Sequence, residues 1–550
     1  MYYDLKSLNL TCYYKIASSG THFTKTSINE REEDIKPFKK APLQCFSQNG
    51  RPLVKMTHGQ VWPKPVIQNS YNVYLEFEQE NFYFNSTGYS CDLLHEAFKR
   101  YKGLLFLKAK KTSQWLRRLP KNKIAGTLEK LNVKLLSPCE DYPSLNMDEK
   151  YEIKIRKSGG TLMAKSIWGI LRGLESFSQL IIFEKYCLTF VIRCTSITDY
   201  PKFRHRGLLL DTSRHYLPVQ TIISMLDAMS YSKLNVFHWH IIDDNSFPYQ
   251  SKAFPSLSDK GAYGQSAIYS TNDIKLVIEH ARQRGIRVIP EIDSPGHTLS
   301  WGLGGIPGLL TQCSDTDPNY FGPIDPTVDE NYSFIKTLLT EVNELFRDQY
   351  LHLGGDEVNM NCWNNSKKLQ TFMTLNNISN VEGLEDYYFK HIFNITRELK
   401  TVPIVWEELF SDNIHLDHNV VVQIWKPNNF SSLVQEVIDS GYAVLISSCW
   451  YLNYIKYGSD WSSFYNCDLS DIVDRNNLLL GGEACVWGEF VDETNVLPLS
   501  WPRASAVAEV LWSQVTNYTE ARLRLEEHTC RMKRRGVPAQ PANGPGFCTY

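Results

Sequence analysis

RGLLLD (206–211), VQTIISMLDAMSYS (219–232) and LNVFHWHIID (234–243) follow one another as a short apolar run, an amphipathic stretch and a second apolar run that ends in an acid. Short apolar runs read as buried strands, and an apolar stripe recurring every three or four residues reads as a helix packed on them. The pattern continues in GIRVIPEID (285–293), QYLHLGGDE (349–357), VPIVWEE (402–408), NVVVQIW (419–425), AVLISSCWYL (443–452) and LLLGGEACVWGE (478–489). Further helical stretches lie between them, at DIKLVIEHARQRG (273–285) and NYSFIKTLLTEVNELF (331–346). Eight strands with interleaved helices predict an α/β fold built on a (β/α)8 TIM-type barrel. Residues 503–535 add closing helices.

Upstream of Pro201 the pattern changes. YNVYLEF (71–77) and YEIKIRK (151–157) alternate like strands, while CDLLHEAFKRYKGLL (91–105) and TLMAKSIWGILRGLESFSQLI (161–181) carry a helical period. They predict a small α+β domain. Residues before it are polar, with a charge cluster at Glu30, Arg31, Glu32, Glu33 and Asp34. The expected division is therefore a poorly ordered leader over 1–57, the α+β domain over 58–198, and the barrel with its C-terminal helices over 199–550.

A chain of 550 residues can bury a large core, and a formal net charge of -2 supplies no general attraction to polyanions, which argues against nucleic acid as a partner. No run of about 18 apolar residues is present, so no membrane-spanning helix is expected. The first residues, MYYDLKSLNLTCYYKIASSG, lack the charged and apolar regions of a secretory signal. Against a cytosolic location stand sequons at Asn9, Asn85, Asn331, Asn364, Asn377, Asn394, Asn429 and Asn517. None of the 13 cysteines shows the paired spacing of a zinc site. Cys91/Cys139, Cys313/Cys362 and Cys530/Cys548 would close loops that a disulfide stabilises by about 3 to 4 kcal/mol each, but spacing alone leaves their connectivity open.

Nearly every barrel run starts apolar and finishes in a polar or aromatic residue. Catalytic groups of such barrels gather at the C-terminal strand ends, so Asp211, Arg214, Asp243, Asp293, His297, Asp356, Glu357, Trp406, Trp425, Tyr451, Trp487 and Glu489 are expected at one mouth. Each alone reads as a turn former or a cap; recurrence on eight strands is what points to a site. Asp356 and Glu357 are adjacent acids that resist joint ionisation, and one is expected to keep a proton, with a pKa raised toward roughly 6 by burial, as a general acid requires. In an extended segment their side chains point apart, so they should not flank one bond as an acid/nucleophile pair. A nucleophile carried by the substrate, such as a 2-acetamido oxygen, is the economical solution. His238 and His240 share a strand face and raise the possibility of a metal, but the rest of a ligand set is not evident and orienting histidines are expected instead. His297 is expected to hydrogen-bond Glu357, with Asp243 or Asp293 fixing its tautomer.

The blocks HRGLLLDTSRHYLP (205–218), LNVFHWHIIDDNSFPYQS (234–251), GIRVIPEIDSPGHTLSWG (285–302), YLHLGGDEV (350–358), WYLNYIKYG (450–458) and GGEACVWGEFVDETN (481–495) closely resemble glycoside hydrolase family 20, in particular its lysosomal animal members. The resemblance runs from about Val61 to Cys548. It implies a retaining exo-β-N-acetylhexosaminidase acting on terminal N-acetylhexosaminides of glycans, glycolipids or chito-oligosaccharides through an oxazolinium-like intermediate, with no cofactor. Carried over, Glu357 is the general acid and base, Asp356 orients the acetamido N–H, and Tyr451 donates to the acetamido oxygen. Asp243 and His297 form a relay behind Glu357. Trp406, Trp425 and Trp487 wall the acetyl pocket and sugar face, and Arg214, Asn453 and Glu489 bind substrate. The three cysteine pairs match the family's disulfides, a homodimer is implied, and a lysosomal or secreted location follows although no signal peptide is evident. Three positions depart from the relatives. Tyr454 stands where an Arg suited to anionic sugars is found, which argues against a preference for sulfated or sialylated substrates. Cys449 replaces a Pro, and Glu407 replaces a Gln. Two other readings stay open: a catalytically silent sugar-binding protein on the same barrel, and a metal-dependent amidohydrolase.

Overall fold

The computed structural model describes residue 57, residues 59–107, 123–184, 189–314, 316–454, 456, 458–546 and 548. Nearly all of the expected leader, 1–56, lies outside them. Eight parallel strands close a barrel: β1 (His205–Asp211), β2 (Val236–His240), β3 (Arg287–Glu291), β4 (Tyr350–His352), β5 (Val402–Trp406), β6 (Val421–Ile424), β7 (Ala443–Ile446) and β8 (Leu479–Val486). Closure joins β8 to β1 through six register pairs from Gly481–His205 to Val486–Leu210. The strands are shorter than the apolar runs that predicted them. QYLHLGGDE is strand only as far as His352; Gly354, Gly355 and Glu357 all take positive φ, at +70°, +94° and +50°. A Cβ at Gly354 would lie 1.7 Å from Asp293 Oδ1, so only glycine fits there.

Before the barrel lies a mixed sheet in the order 83–88, 130–135, 159–164, 151–156, 189–199, 67–77, 124–127, with 181–184 added on 189–199. Helices Asp92–Leu105 and Ile167–Gln179 pack on it. The expected helix over 161–181 needs correction. Gly159–Ala164 is a strand that pairs with Tyr151–Arg156, and the helix begins after Ser166, whose hydroxyl accepts from the Gly169 N–H. Gly159 with a φ of +132° closes the two-residue turn, and this hairpin overrides the helical period of the residues beyond it.

Sheet and barrel share a buried polar seam. Glu149 accepts from Arg172 (2.7 Å) on the helix and from Arg206 (2.6 Å) on β1. Arg172 also donates to the carbonyls of Arg284 (2.9 Å) and Gly285 (2.7 Å) at the base of β3. The last helices, Arg503–Trp512 and Tyr518–Arg534, close the barrel as expected and reach back to the start of the described chain. Trp62 Nε1 donates to Ser505 O (3.0 Å), Lys64 N to Glu509 (2.8 Å), and Trp512 Nε1 to Asp199 (3.0 Å). No described helix is long and apolar enough to cross a membrane.

The disulfides Cys91–Cys139, Cys313–Cys362 and Cys530–Cys548 are present. A fourth, Cys449–Cys467, joins two cysteines that spacing did not pair.

Candidate active site

The C-terminal ends of the strands bring together the expected residues. Trp406 at the end of β5, Trp487 just after β8, and Leu209 and Cys485 inside the barrel form one apolar cluster, against which Trp425 and Tyr451 pack. Trp425 and Tyr451 are stacked at 6.1 Å, Tyr451 and Trp487 lie 6.5 Å apart, and Trp406 and Trp487 lie 6.0 Å apart. These four rings make a box open toward Asp356 and Glu357. Aromatic walls of this kind suit the apolar face of a sugar or an acetyl group.

Beneath the box runs a ladder of histidines and carboxylates. His205 meets Glu483 (2.6 Å), and Glu483 meets His238 (2.8 Å). His238 meets Glu291 (3.0 Å), Glu291 meets His240 (2.6 Å), and His240 meets Asp243 (2.8 Å). Asp243 then lies 3.4 Å from His297 Nδ1 and 2.7 Å from Arg214. His297 Nε2 stands 3.5 Å from Asp356 and 3.7 Å from Glu357. His297 therefore faces both acids, and its approach to Glu357 is an ion-pair contact longer than the expected hydrogen bond. The expected choice for its other nitrogen falls on Asp243, not Asp293.

Burial works against charge on each of these groups, and the partner decides which way each pKa moves. For His240 the carboxylates of Glu291 and Asp243 outweigh burial and hold the pKa near about 10. For His297, Asp293, Asp243 and Asp356 raise it to about 11. For His238, Glu483 and Glu291 raise it to about 9. His352, stacked 4.5 Å from His238, is pushed down to about 3 by burial. Burial would raise the carboxyls of Glu291 and Asp243, yet the imidazoliums hold both below their ordinary range. Each of His238, His240 and His297 thus has carboxylate partners at close range.

Asp356 and Glu357 diverge, and the acid that Asp356 faces is Asp293. Asp356 is buried and Glu357 has a side chain 62% exposed. The carboxyl facing Asp356 belongs to Asp293, whose Oδ1 accepts the Gly355 N–H at 3.0 Å. Burial first, and then the Asp356 charge, raise Asp293 well above the carboxylate range, while burial also raises Asp356. The two carboxyls share one water-poor site, so a proton held by either eases ionisation of the other. Glu357 stands open at the mouth.

Arg214 is held by Asp211 (3.1 Å) and Asp243 (2.7 Å), with its guanidinium 5.1 Å from the Trp487 ring. Glu489 is exposed two residues beyond Trp487. Asn453 Oδ1 and Asp356 Oδ1 are buried and have no hydrogen-bond partner among the described residues, as acceptors facing a ligand would be. Two positioning acids were missed in the sequence. Glu291 Oε1 accepts from Trp406 Nε1 (2.8 Å), and Glu408 accepts from Trp425 Nε1 (3.0 Å). Burial, with the nearby Asp356, lifts Glu408 to about 7. Both stand in strand-end runs already picked out, so their position was the available signal. Glu407, the departure from Gln, accepts the backbone N–H groups of Trp425 (2.9 Å) and Lys426 (3.2 Å), as a Gln oxygen could.

Residues 203–515 match the profile of the glycosyl hydrolase family 20 catalytic domain, and residues 61–180 match the profile described as beta-acetyl hexosaminidase like. The chain belongs to glycoside hydrolase family 20. Beta-hexosaminidase subunit beta of Mus musculus is 45% identical over 503 residues, covering 89% of this chain and 93% of that protein. Subunit alpha of the same species is 41% identical, covering 89% and 94%. Among solved structures, the chitobiase of Flavobacterium johnsoniae has a TM-score of 0.76 at 25% identity over 88% of this chain and 74% of that one. This family 20 chain is an enzyme, a glycoside hydrolase of the β-N-acetylhexosaminidase class.

The ladder predicts how stability follows pH in this family 20 enzyme. The raised histidines contribute stability that is complete below about pH 6.5 and is lost as pH climbs through 9 to 11. The depressed acids Glu291, Asp243 and Glu483 contribute stability that is lost as pH falls below about 4. The thermal midpoint, followed by calorimetry across buffers, is expected to peak between about pH 4.5 and 6.5. A midpoint still rising at pH 9 would show the imidazoles to be neutral in the folded protein.

Proposed function

We propose that this chain removes terminal β-linked N-acetylhexosamines with retention, and that the nucleophile is the substrate's own 2-acetamido oxygen. The observation that carries the proposal is the commitment of the buried carboxylates around the box to other partners. Asp211 and Asp243 hold Arg214, Asp293 holds the Gly355 N–H, and Glu408 holds Trp425 and Lys426. Among the described residues this leaves Asp356 and Glu357 beside the box, with Glu489 exposed at the rim beyond Trp487.

In this reading Trp406, Trp425 and Trp487 enclose the acetamido group and the sugar face. Tyr451 donates its hydroxyl to the acetamido oxygen and aims it at the anomeric carbon. Asp356, kept ionised by the proton on Asp293, accepts the acetamido N–H and stabilises the positive charge that grows on nitrogen as the ring closes. Glu357 gives its proton to the departing glycosidic oxygen, then takes one from the water that opens the oxazolinium. Its exposure suits this role, because the leaving group occupies the outer side of the site. His297, charged and backed by Asp243, stabilises the carboxylate that Glu357 becomes. Arg214, Asn453 and Glu489 bind ring hydroxyls.

Four disulfides favour folding in an oxidising compartment, in keeping with a lysosomal or secreted enzyme. The resemblance to animal lysosomal subunits favours glycoprotein, glycolipid or chito-oligosaccharide ends as substrates, and a homodimer, which sedimentation decides.

Three measurements test the reading. Adding one, two and three fluorines to the acetyl methyl withdraws electrons from the nucleophile and is expected to lower kcat stepwise; a constant rate where bond cleavage is limiting would require an enzyme nucleophile, with Glu408 the first to replace. Glu357→Gln is expected to cost about 10² to 10⁴ in rate on natural glycosides and much less on activated aryl glycosides. Equal losses on both would remove Glu357 as the leaving-group acid. Tyr454, 62% exposed, offers no positive charge to a sulfate, so an unsulfated N-acetylglucosaminide is expected to outrun its 6-sulfate. Tyr454→Arg should narrow the gap through a charge-assisted contact worth about 1.5 to 3 kcal/mol; a wild-type preference for the sulfate contradicts this.

A further inference from the structure

Trp450 and Leu452 pack in the barrel's core on either side of Tyr451, and two backbone bonds join the segment to β8. Leu452 N donates to Cys485 O (2.8 Å) and Cys485 N to Trp450 O (2.9 Å), which makes Tyr451 an isolated bridge partner of Cys485 on β8. Among the described residues from Asn453 to Ser462, no backbone N–H donates to a backbone carbonyl outside its own helix. This stretch includes Asn453 and Tyr454, and Tyr454 stacks on Tyr451 at 5.9 Å.

On its outer side the same segment is tied to the short helix Trp461–Tyr465 by two links in parallel. Trp450 Nε1 donates to Phe464 O (3.0 Å). Cys449 is bonded to Cys467, with Cα atoms 5.9 Å apart across a sequence separation of 18. The helix is anchored in turn by Arg503, which donates to Asp460 (2.8 Å) at its start. Cys449 lies two residues before Tyr451 and Cys467 two residues after the helix. The covalent link therefore closes the loop that contains Tyr451, Asn453 and Tyr454 on itself.

We propose that the Cys449–Cys467 disulfide is a positioning element of the catalytic site, which fixes the approach of Tyr451 to the substrate's acetamido oxygen. The proposal rests on the role given to Tyr451 above. The bond removes the freedom of Cys449 to move away from the helix, and with it the lateral play of Trp450 and Tyr451. A displacement of about 1 Å at a group that must aim a nucleophile can cost on the order of 10²-fold in rate. The loss falls on kcat, because the contact tightens only as the oxazolinium forms. A disulfide that served stability alone would leave kcat untouched at temperatures where the protein is folded.

The test is a double-mutant cycle on the full chain. Cys449→Ser with Cys467→Ser is expected to lower kcat roughly 5- to 30-fold at 25 °C, with KM changed less than about threefold. Tyr451→Phe is expected to cost roughly 10² in kcat, and the triple variant no more than Tyr451→Phe alone. Affinity for a stable oxazoline mimic should fall in step with kcat, while an iminosugar without an acetamido group binds unchanged. Unchanged kcat with a lowered thermal midpoint, or losses that multiply in the triple variant, overturns the proposal. A normal rate for Tyr451→Phe overturns it too, and identifies the Tyr451 assignment as the part that failed. Should the serine variants not fold, the wild-type enzyme is treated with dithiothreitol, whose two thiols become a disulfide as the protein bond opens. Cys449 and Cys467 are half-buried, as are Cys91, Cys139 and Cys548, whereas Cys313, Cys362 and Cys530 are buried, so the opened bonds are told apart by peptide. Alkylation and peptide mapping then identify molecules with 449–467 open, and full kcat in that fraction refutes the inference.

Discussion

Glu291 holds this site together. Its carboxylate is fully buried at the end of β3 and takes His238 and His240 on one oxygen, with Trp406 and His352 near the other. Ionised groups stripped of water are stable only when their charges and lone pairs are answered locally. Each rung of the ladder therefore requires the next, from Glu483 within β8 to Asp243 at the rim. The Trp406 wall of the aromatic box and the support of His297 are thereby fixed by one carboxylate. Neither can shift without disturbing the other, and the box keeps its shape before substrate arrives.

How much of this the sequence disclosed depends on how local the cause was. The barrel was legible because each strand is a short apolar run with a polar end, a pattern set within about ten residues. TLMA was read as helix because its apolar residues continue the period of the helix that follows, and only pairing with Tyr151–Arg156 distinguishes the two. Asp356 and Glu357 were found as adjacent acids, but the carboxyl that Asp356 faces is that of Asp293. The positive φ at Gly354, Gly355 and Glu357 turns the chain so that Asp356 faces inward to Asp293 and Glu357 outward. That divergence lies in backbone conformation, which a string of residue types records only as two glycines.

Partner identity in the ladder was hidden for a different reason. His238 and Glu483 are 245 residues apart and meet only because β8 closes against β1. Glu408 was visible as the second acid of VWEE, yet its bond to Trp425 depends on the neighbouring strand β6. Cys449 was read as a departure from Pro, and its partner at 467 became evident only when the intervening helix folded back. Groups whose roles depend on local chemistry were found, and groups whose roles depend on closure were not.

The seam between the ends of the described chain bears on biosynthesis. Trp62 and Lys64 reach Ser505 and Glu509, and Trp512 contributes to the core of the N-terminal sheet while donating to Asp199. A ribosome delivers residue 62 well over four hundred residues before its partners. The first sheet must wait with part of its apolar surface exposed until the final helices emerge, a long-range dependence of the kind that slows folding and invites aggregation. Maturation of such a chain is a matter of holding an unfinished domain, and chaperones that shield apolar surface during synthesis would be needed earliest at the end of the chain that was made first.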